Sequence, residues 1–363
     1  MEYYKQLDGL RFIAIFMVAI AHYIQWQISN VVAINIPFVY GVTLFFVLSG
    51  FLITRILLSQ KEKPLFKSLK VFYGRRAVRI FPLYYAVLLV AFLIAYKDQQ
   101  ELIPWLISYT INIFHSFNSG VELGDFSHLW SLAVEEQFYL VWPIMVFITP
   151  RKLFLKMAIS LVVISLLYKG SVLVYWGNWV EADTGFFSNF YSLGIGGVIG
   201  YLSMFSKGVY KTLGSNLLLI ITFFLCLLTV GYRMAFPNDL FFKVVMMQFI
   251  WVLFFASLII KASYRPMGLF KLVLENRVVS YLGKISYGIY VIHLFVPSLF
   301  YYWNPDSIFI QNKYVGFVGF FGVTILLASF SWYTLEKWFF KYYPKEPDTI
   351  RCQRINFRYQ QYL

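Results

Sequence analysis

The sequence has few charged residues. Only 13% of its 363 residues are Asp, Glu, Lys or Arg, whereas soluble domains contain about 25%. A soluble globule of this length needs much more polar surface to cover its core, and a disordered chain has far fewer apolar residues than the 60% found here. The composition therefore excludes both classes and indicates a protein that is embedded in a membrane.

Cysteine and histidine are also scarce. The two cysteines, Cys226 and Cys352, lie in an apolar run and in the C-terminal tail, so we expect no disulfide between them. The four histidines have no metal-ligand spacing, and the chain has no P-loop, no dinucleotide-binding glycine motif and no G-x-S-x-G elbow. We expect no metal ion, and no cleaved signal peptide, because a small-residue cleavage site is missing from the N-terminal region.

Long apolar runs, by contrast, follow one another through the chain. Each is about the 20 residues that a helix needs to cross the hydrocarbon core. They predict an all-α, polytopic helix bundle with about ten transmembrane helices, at 10–28, 38–58, 80–96, 131–149, 153–175, 185–204, 216–234, 240–260, 285–303 and 314–336. We expect one transmembrane domain over 1–344 and a short basic cytoplasmic tail over 345–363.

An eleventh apolar stretch, 103–116, is shorter and contains Asn112. If it does not cross, most Lys and Arg residues fall in segments on the N-terminal side of the membrane. The outer segments then carry only Lys97, Arg233 and Lys313. Positive residues concentrate on the cytoplasmic side. The charges therefore predict a re-entrant or interfacial helix near 103–116, with both termini in the cytoplasm.

The first apolar run contains three ionisable residues, which are costly at membrane depth and mark candidate sites. Asp8 and Arg11 are three residues apart and can pair on one helix face. His22 lies on the same face, roughly 16 Å further along the axis. Histidine is the side chain most easily poised as a general base near neutral pH. An imidazole that merely bonds a neighbouring helix remains an equal alternative for His22.

Three arginines, Arg75, Arg76 and Arg79, crowd the beginning of the third span. Guanidinium groups bind phosphates with paired donors. Anchoring against lipid headgroups is the alternative, and it explains Arg79 less well because Ile80, Phe81 and Pro82 follow directly.

The segment HLWSLAVEEQFYLVWPI opens the fourth span with Trp130, Ser131, Glu135 and Glu136. A carboxylate beside a histidine can orient the ring. The alternative is an interfacial cluster in which Ser131 caps a helix with an acidic first turn. His293, near the middle of a later span, is interpreted as structural.

Five motifs then occur in a fixed order: LDGLRFIAIFMVAIAHY, GVTLFFVLSGFLIT, RRAVRIFPLYY, WSLAVEEQFYLVWP and SYGIYVIH. Together they resemble the acyltransferase family 3 membrane proteins, bacterial O-acyltransferases that act on surface glycans. The resemblance covers residues 5–340. It implies transfer of an acyl group, usually acetyl, from cytoplasmic acyl-CoA to a hydroxyl of an extracytoplasmic glycan or glycolipid, at the bacterial cytoplasmic (inner) membrane.

The resemblance also implies roles for residues. His22, Arg11, Arg76, Arg79 and Glu135 match the family's important positions, and Glu136 matches less closely. We expect His22 to be the base, Glu135 to orient it, Asp8 with Arg11 to position the first span, and the arginines to hold CoA phosphates.

Oxyanion or acceptor candidates are Trp130, Ser131, Asn112 and Glu136. Some members of the family carry a hydrolase-like domain that we do not expect here, so a separate periplasmic or surface transferase stays open as a partner. A transporter of a sugar-lipid or small acid is the alternative function.

Overall fold

The computed structural model describes residues 4–28, 37–94, 97–264 and 268–342, and these residues form helices and turns with no strand among them. The predicted all-α class is confirmed. We number the helices α1 to α19 in chain order: Lys5–Gln27, Gly41–Ser59, Leu65–Ile94, Ile103–Ile107, Ile111–Phe117, Trp130–Ile148, Arg151–Tyr175, Trp179–Thr184, Phe186–Phe205, Lys207–Leu213, Asn216–Ala235, Gln248–Tyr264, Gly268–Leu274, Arg277–Lys284, Ser286–Ile292, Phe295–Trp303, Ile308–Gln311, Lys313–Ser331 and Lys337–Tyr342.

Eight helical segments in the described residues are long and apolar enough to cross a membrane, which confirms a polytopic membrane protein. They correspond to eight of the ten predicted spans. The other two are not among the eight for different reasons. Helix α9 matches the predicted span 185–204 in position and length, but its four glycines, three serines and Asn189 make it less apolar. The predicted span 285–303 is broken into α15 and α16.

Helix α9 can be this polar because it lies inside the bundle. It packs against α2 and α7, and its glycines meet α2 backbone to backbone. A Cβ on Gly50 of α2 would overlap the carbonyl oxygen of Leu193, and a Cβ on Gly196 would overlap that of Val47. Small residues allow such close approach between helices in a membrane.

The break between α15 and α16 falls at His293, and Pro297 explains it. Proline has no N–H to donate, and its ring clashes with the carbonyl four residues before it. For Pro297 that carbonyl belongs to His293, which instead accepts a hydrogen bond from the amide of Val296 at 3.4 Å. A histidine is thereby placed at a helix end inside the bundle.

The stretch 103–116 forms α4 and α5, of five and seven residues, joined by a turn in which Tyr109 has a φ of 54°. Neither helix is long enough to span a bilayer, as predicted. The predicted sidedness of the termini stays a prediction. The predicted tail, 345–363, lies outside the described residues.

Candidate functional site

A cavity of about 80 Å³ lies at the centre of α1, α2, α3, α6 and α15. Its lining mixes apolar side chains with an unusual number of polar ones for a membrane interior. The polar lining residues are Arg11, Ser49, Arg76, Arg79, Ser131, Glu135, Tyr139, Ser286, Tyr287 and Tyr290. We call this space the arginine cavity, after Arg11, Arg76 and Arg79.

Two helices supply the three arginines. Arg76 and Arg79 are three residues apart on α3 and share a face of that helix, whereas Arg11 comes from α1. The guanidinium carbon of Arg76 lies 4.6 Å from the centre of the Tyr139 ring, which holds it by a cation–π contact. Arg75, the neighbouring residue on α3, is not among the described residues that line the cavity.

Glu135 is the carboxylate of this cavity. One oxygen accepts a hydrogen bond from Ser49 at 2.7 Å, and the other accepts one from Tyr139 at 3.1 Å. Its charge acts on Arg76 and Arg11. We expected Glu135 to orient the His22 ring. In the structure, Glu135 instead bonds to Ser49 and Tyr139 at the arginine end of the site.

The predicted ion pair on α1 is present. Asp8 is completely buried, and its carboxylate lies 3.7 Å from Arg11. Helix α14 packs closely over it, because Gly283 lies against the carbonyl oxygen of Asp8 and any Cβ there would overlap it. The close packing of α14 against Asp8 thus holds the N-terminal end of α1 beside the cavity.

His22 hydrogen-bonds to a second histidine. Its Nδ1 lies 2.9 Å from Nε2 of His293, which stands at the break between α15 and α16. His293 is fully buried, and its Nδ1 lies 2.7 Å from the carbonyl oxygen of Tyr290. His22 itself is half-buried. We call His22 and His293 the histidine pair.

Tyr290 connects the histidine pair to the arginine cavity. Tyr290 lines the cavity, and its hydroxyl donates to the carbonyl of His128 at 2.9 Å and bonds to Ser131. Its carbonyl accepts from His293. One residue therefore touches both halves of the site.

His128 and Ser131 are both buried inside the helix bundle. His128 is buried, and its ring centre lies 4.9 Å from that of His293. Helix α6 begins at Trp130 without a side-chain cap, and the Ser131 hydroxyl bonds to the carbonyl of His128 at 3.2 Å. The Ser131 cap of the alternative interpretation is not formed, and the interfacial position of this segment stays a prediction.

Three other predicted candidates do not line the arginine cavity in the described structure. Asn112 is fully buried in a reciprocal amide pair with Gln137, at 3.2 and 2.9 Å. The Trp130 ring packs edge-on against Phe46 at 6.0 Å. The charge of Glu136 acts on Tyr84 and Tyr109. None of the three is among the residues that line the cavity.

Four residues of the site were not predicted from the sequence. They are Ser49, Tyr139 and Tyr290, and His293 as the partner of His22. A signal for two of them was present, because Tyr290 and His293 are three residues apart in SYGIYVIH and therefore share a helix face. The contact of His293 with His22, 271 positions away, has no local signal.

A family model described as an acyltransferase domain matches residues 4–334 of the chain. The chain belongs to this acyltransferase family. The resemblance given by the five motifs is thereby confirmed, and the match includes both the arginine cavity and the histidine pair.

The chain is also similar to bacterial O-acetyltransferases. It is 34% identical over 186 residues to the peptidoglycan O-acetyltransferase OatA of Listeria monocytogenes serovar 1/2a, covering 45% of this chain and 28% of that protein. It is 26% identical over 342 residues to the O-acetyltransferase OatA of Staphylococcus aureus, covering 86% of this chain and 52% of that one. The alignments thus span about half or less of these relatives.

No solved structure matches the chain. Among the described residues, no group of three or more His, Cys, Asp or Glu side chains is arranged to hold a metal ion. The expectation that no metal takes part stays a prediction.

Proposed function

We propose that this acyltransferase moves an acetyl group from cytoplasmic acetyl-CoA to a hydroxyl of an extracytoplasmic cell-wall glycan. The observation that carries the proposal is the position of two functional side chains near opposite ends of α1. Arg11 contributes to the arginine cavity near one end, and His22 contributes to the histidine pair near the other. Eleven residues of one continuous helix separate them by roughly 16 Å.

The arginine cavity is the proposed entrance for the donor. Arg76 and Arg79 point from one helix face into it, and guanidinium groups bind phosphate oxygens with paired, charge-assisted hydrogen bonds. An extended pantetheine arm can then run along α1 and present the thioester to His22. Glu135 balances the arginine charge while the donor is absent.

The histidine pair is the proposed reaction centre. His22 Nε2 takes the proton from the acceptor hydroxyl as the hydroxyl oxygen attacks the thioester carbonyl. The C–S bond of the tetrahedral intermediate breaks, the CoA sulfur leaves as thiolate, and the imidazolium returns the proton to it. An acyl group carried on His22 Nε2 is the alternative route, and it uses the same nitrogen.

The negative oxygen of the tetrahedral intermediate needs a hydrogen-bond donor. Ser131 and Tyr290 carry the proposed donors, because both residues line the cavity and their hydroxyls bond to each other. The hydroxyl that donates to the oxyanion gives up its hydrogen bond to the carbonyl of His128. Asn112 is a poor candidate here since its amide is taken up by Gln137.

The names of the relatives support the acceptor class. One of them is a peptidoglycan O-acetyltransferase and the other an O-acetyltransferase, so a cell-wall glycan hydroxyl is the proposed acceptor. A separate surface transferase that completes delivery stays part of the proposal, as do the cytoplasmic membrane and the cytoplasmic termini.

The test uses the purified chain in nanodiscs with acetyl-CoA labelled in the acetyl group. We expect free CoA thiol to appear and label to move onto added peptidoglycan fragments in equal amounts. An acid quench without acceptor distinguishes the two routes, because only the covalent one leaves label on the protein. Label that crosses the membrane of a proteoliposome with the thioester intact would instead favour a transporter and contradict the proposal.

A further inference from the structure

The two ring nitrogens of His293 have different partners, and both are defined. Nδ1 lies 2.7 Å from the carbonyl oxygen of Tyr290, and Nε2 lies 2.9 Å from Nδ1 of His22. The ring is completely buried. A carbonyl oxygen can only accept a hydrogen bond, so the proton of a neutral His293 must sit on Nδ1.

This assignment decides the state of His22. With its proton on Nδ1, His293 presents a lone pair at Nε2, and a lone pair can only accept. His22 must then donate from Nδ1. In a neutral His22 the other nitrogen, Nε2, carries the free lone pair. The opposite arrangement would set the lone pair of His293 Nδ1 against the Tyr290 carbonyl, and a doubly protonated His293 would bury a charge.

We infer that His293 is a positioning residue that holds His22 in the tautomer protonated at Nδ1, so that Nε2 is its basic nitrogen. The inference rests on the proposed function, in which Nε2 receives the proton of the acceptor hydroxyl. His293 has the place that a carboxylate takes in other histidine-based sites, where the group bonded to the second ring nitrogen fixes the tautomer of the base. The backbone carbonyl of Tyr290 in turn fixes the tautomer of His293.

The surroundings of His293 keep its own ring from turning. Pro297 ends the helix at this residue, and the His128 ring packs against the His293 ring at an interplanar angle of 73°. His128 in turn lies with Nε2 3.3 Å from the carbonyl of Val291. Two successive carbonyls, those of Tyr290 and Val291, therefore each face one histidine.

The tautomer can be measured without turnover. The chain has four histidines, so a sample labelled with ¹⁵N-histidine gives few ring signals, and single substitutions assign them. In bilayers, we expect His22 Nδ1 and His293 Nδ1 to resonate as protonated nitrogens and both Nε2 atoms as unprotonated ones. A scalar coupling between His22 Nδ1 and His293 Nε2 should report the hydrogen bond. A protonated Nε2 on His22 would overturn the inference.

A matched pair of variants tests the consequence for catalysis. His293→Gln keeps an amide oxygen that can accept from His22, whereas His293→Leu keeps the burial and removes the acceptor. Because small misplacement of a catalytic group costs about 100-fold in rate, we expect kcat of the Leu variant to fall by that factor, with the KM for acetyl-CoA unchanged. The Gln variant should stay within about tenfold of the wild type.

Controls separate positioning from structure. His115→Gln changes a half-buried histidine outside the site and should leave kcat and the His22 signals unchanged. Equal losses in the Gln and Leu variants, with equal losses of thermal stability, would mean that His293 is structural and would contradict the inference. If the wild type transfers no acetyl group, the proposed function fails, while the ¹⁵N spectrum still decides the tautomer.

Discussion

Two regions of this membrane protein bury charged side chains, and they do so in opposite ways. In the arginine cavity, the charged groups of α1, α3 and α6 surround open space. In the second region, the fully buried Lys169 of α7 donates to the carbonyl of Ala182 at 2.7 Å and to Gln248 at 2.8 Å. Gln248 in turn donates to Asp183 at 2.5 Å. We call Lys169, Gln248 and Asp183 the lysine cluster.

The comparison teaches what marks a site in a membrane protein. Buried charge is costly wherever it occurs and needs a compensating partner. In the lysine cluster, the protein's own atoms supply the compensation, and the result ties α7, α8 and α12 together. In the arginine cavity, part of the charge faces a space that a phosphate-bearing ligand can fill. A buried charged side chain therefore marks a candidate functional site where it borders a cavity. Where it does not, it stabilises the packing of helices.

The largest expected effect is on chemistry at the histidine pair. His22→Gln should lower the rate of acetyl transfer about 1,000-fold, because a general base contributes about that much, while the thermal unfolding temperature stays near that of the wild type. Acetyl-CoA turnover and thermal unfolding of the same preparation check this. A variant that keeps its activity would remove His22 from the mechanism.

In the lysine cluster, a substitution should lower the stability of the protein and leave its rate of acetyl transfer unchanged. Lys169→Met leaves the acceptors on Ala182 and Gln248 without their donor, so the free energy of unfolding should fall by about 3 kcal/mol. The rate per folded molecule should not change. Lys152→Met, at an exposed lysine on the same helix, is the control for loss of charge. Loss of rate without loss of stability would make the lysine cluster a second functional site.

Donor binding should distinguish neighbouring arginines of α3. Arg76→Gln and Arg79→Gln should each raise the KM for acetyl-CoA by about 10- to 100-fold, since each removes charge-assisted hydrogen bonds to phosphate. Arg75→Gln should change it little, because Arg75 does not line the cavity in the described structure. Steady-state kinetics at varied donor and fixed acceptor measure the difference. Equal effects at all three positions would indicate a surface charge effect instead.

The smallest perturbation tests the sidedness of the site. Single cysteines replace exposed residues in a chain without Cys226 and Cys352. Glu122→Cys and Asp306→Cys should react with an impermeant thiol reagent added outside intact cells. Lys67→Cys and Lys271→Cys should react only after permeabilisation. Labelling of position 306 from the cytoplasm alone would reverse the predicted topology of the later helices.

Much of the fold was predictable because apolar runs and charge distribution are local properties of the sequence. The runs predicted the helical class and eight of the long segments, and the short length of the apolar stretch 103–116 predicted a segment that does not cross. The break at His293 shows the limit, because it depends on one proline that leaves the apolar pattern of 285–303 unchanged. Helix α9 was predicted as a span, but its close packing against α2 depends on glycines that are far apart in the sequence.

The site was predictable residue by residue but not as an arrangement. Spacing on one helix was enough to pair Asp8 with Arg11 and to align Arg76 with Arg79. Contacts between helices that are far apart in the sequence could not be predicted from such spacing. The sequence placed Glu135 beside His22, whereas the structure gives that place to His293 and gives Glu135 the hydroxyls of Ser49 and Tyr139.

The central claim is that donor and acceptor use opposite ends of one site, and sidedness of transfer tests it most directly. Proteoliposomes are sorted by labelling of Lys67→Cys, so that vesicles exposing that face are known. Labelled acetyl-CoA is supplied on one side only, and peptidoglycan fragments on the other. The account predicts labelled glycan only when acetyl-CoA shares the face of position 67 and the glycan the opposite face. Transfer only when both substrates share the face opposite to position 67 would contradict it.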